Sequence, residues 1–310
     1  MEHARPRPTR LAALTQQLVD AGNLVRSRSV DIRGCKTVCL ALGPYRNLTT
    51  LTASVIFLHP HCQVLNHAGD RIFGNRRVDF IAAYDERRFN RFVQYAIFAS
   101  KGGTRGNHGG SLVHSHAFDG SHPMGALHRS RGGQLLKDDI RCLFWKESLR
   151  TSNAIRHSQF DFEQVFARND RLRFLLPIRN PLDCATSNLK TGHVAIFDHL
   201  HRHSSLLDCT RAVLDEIQWF GGLQRRFPDR FFSYFEHEIS RDMLTRLASF
   251  LRVEPDARWL DDAVAAMELK EGYRYDEDVL RAYEQYVHDN FGDLQTLHAG
   301  LLKFLDNGPQ

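Results

Sequence analysis

The chain has no run of about 18 apolar residues, so nothing in it is fit to cross a bilayer as a helix. Residues Met1 to Arg10 are polar and rich in proline and arginine, and no apolar core follows them. A flexible tail is expected there, not a secretory leader, and a cytoplasmic setting follows from that expectation. Cys-x-x-Cys does not occur. The six cysteines (Cys35, Cys39, Cys62, Cys142, Cys184 and Cys209) are scattered, several of them inside apolar runs, which predicts reduced, buried thiols and no disulfide framework. No set of histidine, cysteine and acidic residues has a metal-ligand spacing, so no metal is expected. The Gly-Lys-Ser/Thr of a Walker A loop is missing, and so is any internal repeat. Charge of one sign is in short supply too. A net +5 over 310 residues suits an anionic ligand and is too weak to argue for nucleic acid.

What is present describes a globular α/β chain. Hydrophobic residues make up 42% and charged residues 25%, enough to bury a core over this length. Leu11, Leu14, Leu18 and Val19 recur at helical spacing and predict a helix to about Leu24, so residues 1–34 form a tail and helix ahead of one α/β domain over 35–310. Strands are expected at Thr37–Leu42, Gln63–His67, Arg141–Lys146, Leu172–Ile178 and Phe231–Glu236. Helices are expected between them, at about Leu48–Leu58, Val78–Ser100, Leu182–Lys190 and Ala195–Arg226, and after Ser240. Strands alternating with helices predict a parallel sheet covered on both faces. Residues 101–134 break the pattern: glycine pairs punctuate them, and they carry His108, His114, His116, His122 and His128. A stretch this long without clear periodicity predicts an insertion over a site.

Two stretches carry chemistry. In the first, the apolar run Val38–Leu42 ends at Gly43-Pro44-Tyr45-Arg46-Asn47-Leu48-Thr49-Thr50, and a helix-compatible segment follows. A strand, a tight loop and a helix N-terminus present backbone N–H groups and a positive dipole end to an anion. Arg46 adds a full charge there; Thr49 and Thr50 add hydroxyls. In the second, Arg179-Asn180-Pro181-Leu182-Asp183 leaves the end of the most apolar strand, with Ser187 further along the next helix. Strand ends of this kind bind ligands, and arginine matches phosphate bidentately. Two anion sites at two strand ends suggest a ligand with two separated phosphates.

At these residues the sequence resembles the sulfotransferase family, whose members use 3′-phosphoadenylyl sulfate (PAPS) as donor. The family's Pro-x-(Arg/Lys)-Ser-Gly-Thr-Thr stands here as Pro44-Tyr45-Arg46-Asn47-Leu48-Thr49-Thr50. Its Arg-(Asn/Asp)-Pro-x-Asp-x-x-x-Ser is matched by Arg179, Asn180, Pro181, Asp183 and Ser187. His59-Pro60, Trp145-Lys146-Glu147, Phe227-Pro228 and Tyr234-Phe235-Glu236 agree with further family segments, and the resemblance covers roughly residues 37 to 255. It implies a P-loop-type three-layer α/β/α fold with a five-stranded, mostly parallel sheet. It implies PAPS as donor co-substrate, without a metal, and a small-molecule, lipid or carbohydrate acceptor offering a hydroxyl or an amine. Arg46, Asn47, Thr49 and Thr50 would hold the 5′ end of the donor, and Arg179 and Ser187 its 3′-phosphate. Leu48 departs from the pattern at the glycine, and Asn47 at the serine.

The base is where the pattern thins. Asn66 stands where many carbohydrate-type members have a glutamate, and Ser148 where cytosolic members have a histidine. His67 is then the first candidate for the base, His116 the second and Glu147 the third, with Lys146 stabilising the transferring group. The altered loop leaves a non-catalytic nucleotide- or partner-binding protein of the same fold as the alternative. A phosphoryl-transfer enzyme is the remaining one, disfavoured by the missing Walker lysine.

Overall fold

The computed structural model describes residues 19–103, 109–120, 122–267 and 272–306. The tail expected at Met1–Arg10, residues 11–18 of the expected N-terminal helix, and His108 lie outside them. Residues 19–26 are helical and lead through the short turn Ser27–Ser29 into the sheet. The strands are β1 (Thr37–Ala41), β2 (Cys62–Asn66), β3 (Gly110–Ser111), β4 (Cys142–Lys146), β5 (Leu172–Ile178) and β6 (Phe231–Phe235). They lie in the order β3-β2-β4-β1-β5-β6, all parallel except β3, which runs antiparallel to β2. All five expected strands are present. The sheet nevertheless has six, because two residues of the glycine-rich insertion add a short edge strand that no apolar run announces.

The helices are α1 (Thr49–Leu58), α2 (Gly69–Ile72), α3 (Glu86–Ser100), α4 (Met124–Ser130), α5 (Leu149–His157), α6 (Phe162–Arg168), α7 (Pro181–Thr191), α8 (Leu206–Arg226), α9 (Arg241–Phe250), α10 (Ala257–Ala266), α11 (Glu277–Asn290) and α12 (Gln295–Asp306). Side chains alternate across the sheet. Val38 and Leu40 of β1 join a core with α3, α7 and α8, while Cys39 and Ala41 face α1, α9 and α10. The result is helices on both faces of a mostly parallel sheet. α1 is packed nearly all round, which explains why TTLTASVIFL shows no amphipathic stripe. α3 begins later than the expected Val78, because the Asp85 side chain accepts from Arg88 N–H and starts the helix there. All six cysteines are free and buried. No helix among the described residues is long and apolar enough to cross a membrane.

The described part of the insertion after Gly110 leads away from the C-terminal edge of the sheet. Gly110 pairs with Asn66 at that edge, and the chain then runs antiparallel to β2, away from it. Phe118 and His128 pack on Phe57, near the far end of α1. Gln63, near the start of β2, holds Leu135 and Lys137 by hydrogen bonds to their backbones. The segment therefore covers the flank of an edge strand, where unpaired backbone groups need protection.

Candidate functional site

The C-terminal ends of β1, β4 and β5 converge on one edge, with β2 beside β4. Gly43, two residues past β1, turns the chain at φ +85°, a left-handed conformation that favours glycine, and a Cβ there would lie 2.2 Å from Leu176 Cδ1 and push that side chain aside. Leu48 is the N-cap of α1 at φ 58° and ψ 0°, the left-handed conformation a glycine would take, and no side chain caps the helix. The leucine keeps the backbone course of the loop at a strain of about 1–2 kcal/mol. The first N–H groups of α1, which a helix cannot satisfy itself, lie at this edge. Arg46 is exposed, half-buried Thr50 opens α1 beside it, and Thr49 Oγ1 turns back to Asn47 O at 3.5 Å.

Asn47 is fully buried, and its side chain is committed to backbone. Nδ2 donates to Pro177 O, and Oδ1 accepts from Arg179 N–H at 2.8 Å. It clamps the β1 loop to the end of β5, so its place is that of a fastener between the loop after β1 and the turn into α7. Arg46 makes the second link: its Nε donates to Ser187 Oγ at 2.9 Å.

The second stretch is built as helix chemistry predicts. Asn180 caps α7 by accepting from Leu182 N–H, and Pro181 takes the first helical position. Asp183 is buried, and its Oδ2 lies 3.2 Å from Arg179 Nη2. Glu236 Oε1 accepts from Asn180 N–H at 2.8 Å, and its Oε2 lies 3.9 Å from Arg179 Nε. Burial raises the Glu236 carboxyl above its usual range, with the Asn180 N–H and Arg179 pulling it back. The Arg179 guanidinium is thus oriented by two carboxylates at the strand end.

A strap that the motifs do not announce closes over this helix start. Tyr273 N–H donates to Asp183 Oδ1 at 3.1 Å, and Tyr275 Oη donates to the same oxygen at 2.8 Å. A Cβ on Gly272 would lie 2.9 Å from Asp183 Oδ2, so a glycine is needed for the approach. The only trace of the strap in the sequence is that glycine beside two tyrosines.

Lys146 ends β4 and is buried; its Nζ lies 3.2 Å from Nε2 of His67, the residue after β2. Burial lowers Lys146 to about 8, with Glu147 raising it and Arg46 lowering it further. Trp145 Nε1 donates to His67 O at 2.6 Å, and His67 N–H donates to Lys146 O, which fixes the histidine backbone. Of the six non-glycine residues described with positive φ, Arg46, Leu48, His67, Ala68 and Ser148 lie in the loops leaving β1, β2 and β4. Strain of this kind gathers where a fold holds functional groups in place. His116 lies elsewhere: it is exposed in the short turn His116–Phe118, which packs against α1 through Phe118 and Phe57. The structure brings together Arg46, Ser187 and Arg179, and likewise Lys146 and His67, but does not bring His116 to them.

No protein-family model matches the chain, and no curated protein does. Among solved structures, the chain is similar to the mouse sulfotransferase SULT7A1 complexed with PAP, at 9% identity over 94% of this chain and 96% of that one, TM-score 0.45. It is similar to the sulfotransferase STF9 from Mycobacterium avium at 11% identity over 90% of this chain and 81% of that one, TM-score 0.39. A third likeness is the sulfotransferase domain of the Synechococcus PCC 7002 olefin synthase, at 12% identity over 88% of this chain and 95% of that one, TM-score 0.39.

Proposed function

We propose that this chain binds 3′-phosphoadenylyl sulfate at the C-terminal edge of its sheet and transfers the sulfuryl group to a hydroxyl or amine acceptor. The observation that carries the reading is the Arg46–Ser187 hydrogen bond at 2.9 Å, which joins two anion-binding stretches that the sequence keeps far apart. A ligand with two separated phosphates fits such a pair. The residues also fit in charge. Arg46 is exposed, Arg179 is held at a strand end, and the start of α1 carries no side-chain cap.

In this reading Arg46, the N-terminal N–H groups of α1 and the hydroxyls of Thr49 and Thr50 hold the 5′ end, while Arg179 and Ser187 hold the 3′-phosphate. The donor supplies the sulfur that the acceptor oxygen or nitrogen attacks; the bond to the bridging oxygen breaks, and the nucleotide leaves as a phosphate. His67 Nε2 takes the acceptor proton. Lys146 moves from that nitrogen to the bridging oxygen and offsets its growing charge. Asn47 keeps both halves in register.

Calorimetry with the desulfated product, adenosine 3′,5′-bisphosphate (PAP), with PAPS and with ATP-Mg tests the reading, followed by transfer of labelled sulfate from PAPS to candidate acceptors. PAP binding together with transfer supports it. PAP binding without transfer to any acceptor class favours a binding protein. ATP-Mg binding in place of PAP overturns the donor assignment.

A further inference from the structure

Glu147 follows Lys146 and is 1% exposed. Tyr45 Oη donates to its Oε1 at 3.1 Å, and Gly69 N–H donates to its Oε2 at 2.9 Å. Arg150 Nη1 lies 3.5 Å from Oε1, and His67 Nδ1 lies 3.8 Å from the same oxygen. A carboxylate enclosed in this way cannot reach an incoming acceptor, so it is no substitute for the base. It faces one end of the His67 ring, while Lys146 faces the other at 3.2 Å.

The two ends of the imidazole therefore meet opposite partners. An ammonium has only donors, so it favours a lone pair on Nε2. A carboxylate has only acceptors, so it favours a proton on Nδ1. Which ring nitrogen carries the proton is set by the partner of the other one. We propose that Glu147 is a positioning residue: it holds His67 in the tautomer with the proton on Nδ1, so that Nε2 is the nitrogen able to accept one. Tyr45, Gly69 and Arg150 keep the carboxylate in place, and Tyr45 belongs to the β1 loop itself. The inference rests on the reading of His67 as the proton acceptor, but its test needs neither donor nor turnover.

The test is the tautomer, read at pH 7.5 from long-range proton–nitrogen correlations of the 15N-labelled protein, with the His67 signals identified by their loss in His67→Gln. The wild type is expected to show a protonated Nδ1 and an unprotonated Nε2. Glu147→Gln keeps the shape and an acceptor for Gly69 N–H, but its amide NH2 turns toward Tyr45 and His67. With Lys146 still facing Nε2 as a donor, the share of His67 that carries its proton on Nε2 should rise measurably above the wild type without becoming the whole population. Lys146→Met should leave the proton on Nδ1. A wild-type His67 protonated on Nε2, or mixed in equal parts, overturns the proposal. So does a folded Glu147→Gln protein that keeps the wild-type pattern. If Glu147→Gln does not fold, Lys146→Met decides: a switch to Nε2–H there would show that the lysine, not Glu147, sets the tautomer. Absence of PAP binding in calorimetry counts against the donor assignment and leaves these spectra as they are.

Discussion

Arg46 Nε donates to Ser187 Oγ at 2.9 Å across 141 positions of sequence. The loop after β1 and the helix after β5 are thereby one unit, and Asn47 fastens it from below through Pro177 O and Arg179 N–H. Anion affinity in such a site depends on the two stretches jointly, because a shift of either moves the groups of both.

Arg179→Ala should lower PAP affinity roughly tenfold or more, the loss of a charge-assisted contact of about 1.5–3 kcal/mol. The substitution also takes the cation from buried Asp183 and largely buried Glu236, so the melting temperature should fall as well, and binding is measured well below it. Unchanged PAP binding by calorimetry would remove this arginine from the site.

Asn47→Ala should act on stability first. It strands a buried N–H of Arg179 and the carbonyl of Pro177, a loss of about 2–3 kcal/mol in urea unfolding. PAP affinity should fall with it, because Arg179 loses its anchor. A variant as stable as the wild type would show that the clamp contributes nothing.

Leu48→Gly tests whether the leucine obstructs the loop. The residue already sits at φ 58°, where glycine is unstrained, so the substitution removes about 1–2 kcal/mol of strain and adds about 0.5–1 kcal/mol of backbone entropy cost. The expected outcome is equal or slightly higher thermal stability, with PAP affinity within about threefold of the wild type. Tightening beyond tenfold would mean that the side chain blocks the phosphate.

Much of this was legible in the sequence because strand ends and helix starts are written locally. Leu172–Ile178 reads as a buried strand from its own composition, and Asn180-Pro181 as a helix start from capping chemistry. The pairing of His67 with Lys146 was only half legible. Each residue stood as a separate candidate, and it takes the parallel register of Asn66 with Lys146 to place them together. What was not legible depends on tertiary contact. The course of the insertion is set by Phe118 and His128 finding Phe57, and β3 by backbone pairing of a glycine and a serine. The strap at Tyr273 and Tyr275 is defined by Asp183, about 90 residues away. No periodicity within a window reports such partners.

The pH dependence of Lys146 offers a test with a definite sign. Its ordinary value of 10.5 is lowered to about 8, chiefly by burial. At pH 7 the side chain is an ammonium, and it loses its proton as the pH rises through about 8. PAP is fully ionised above pH 7, since phosphate second ionisations lie near 6. Its affinity should therefore fall between pH 7 and 9 as the cation is lost. The bound anion favours the ammonium, so binding at pH 8.5 should take up protons, visible in calorimetry as an enthalpy that varies with the ionisation enthalpy of the buffer. Stability should move the other way. Between about 8 and 10.5 the unfolded chain holds a proton on this lysine that the folded chain does not. The lysine's contribution to stability thus rises with pH across that window and is flat below it. Lys146→Met should remove the proton uptake and that share of the stability slope together. If the variant keeps both, another group titrates at the edge, and Lys146 is not the cation that meets the ligand.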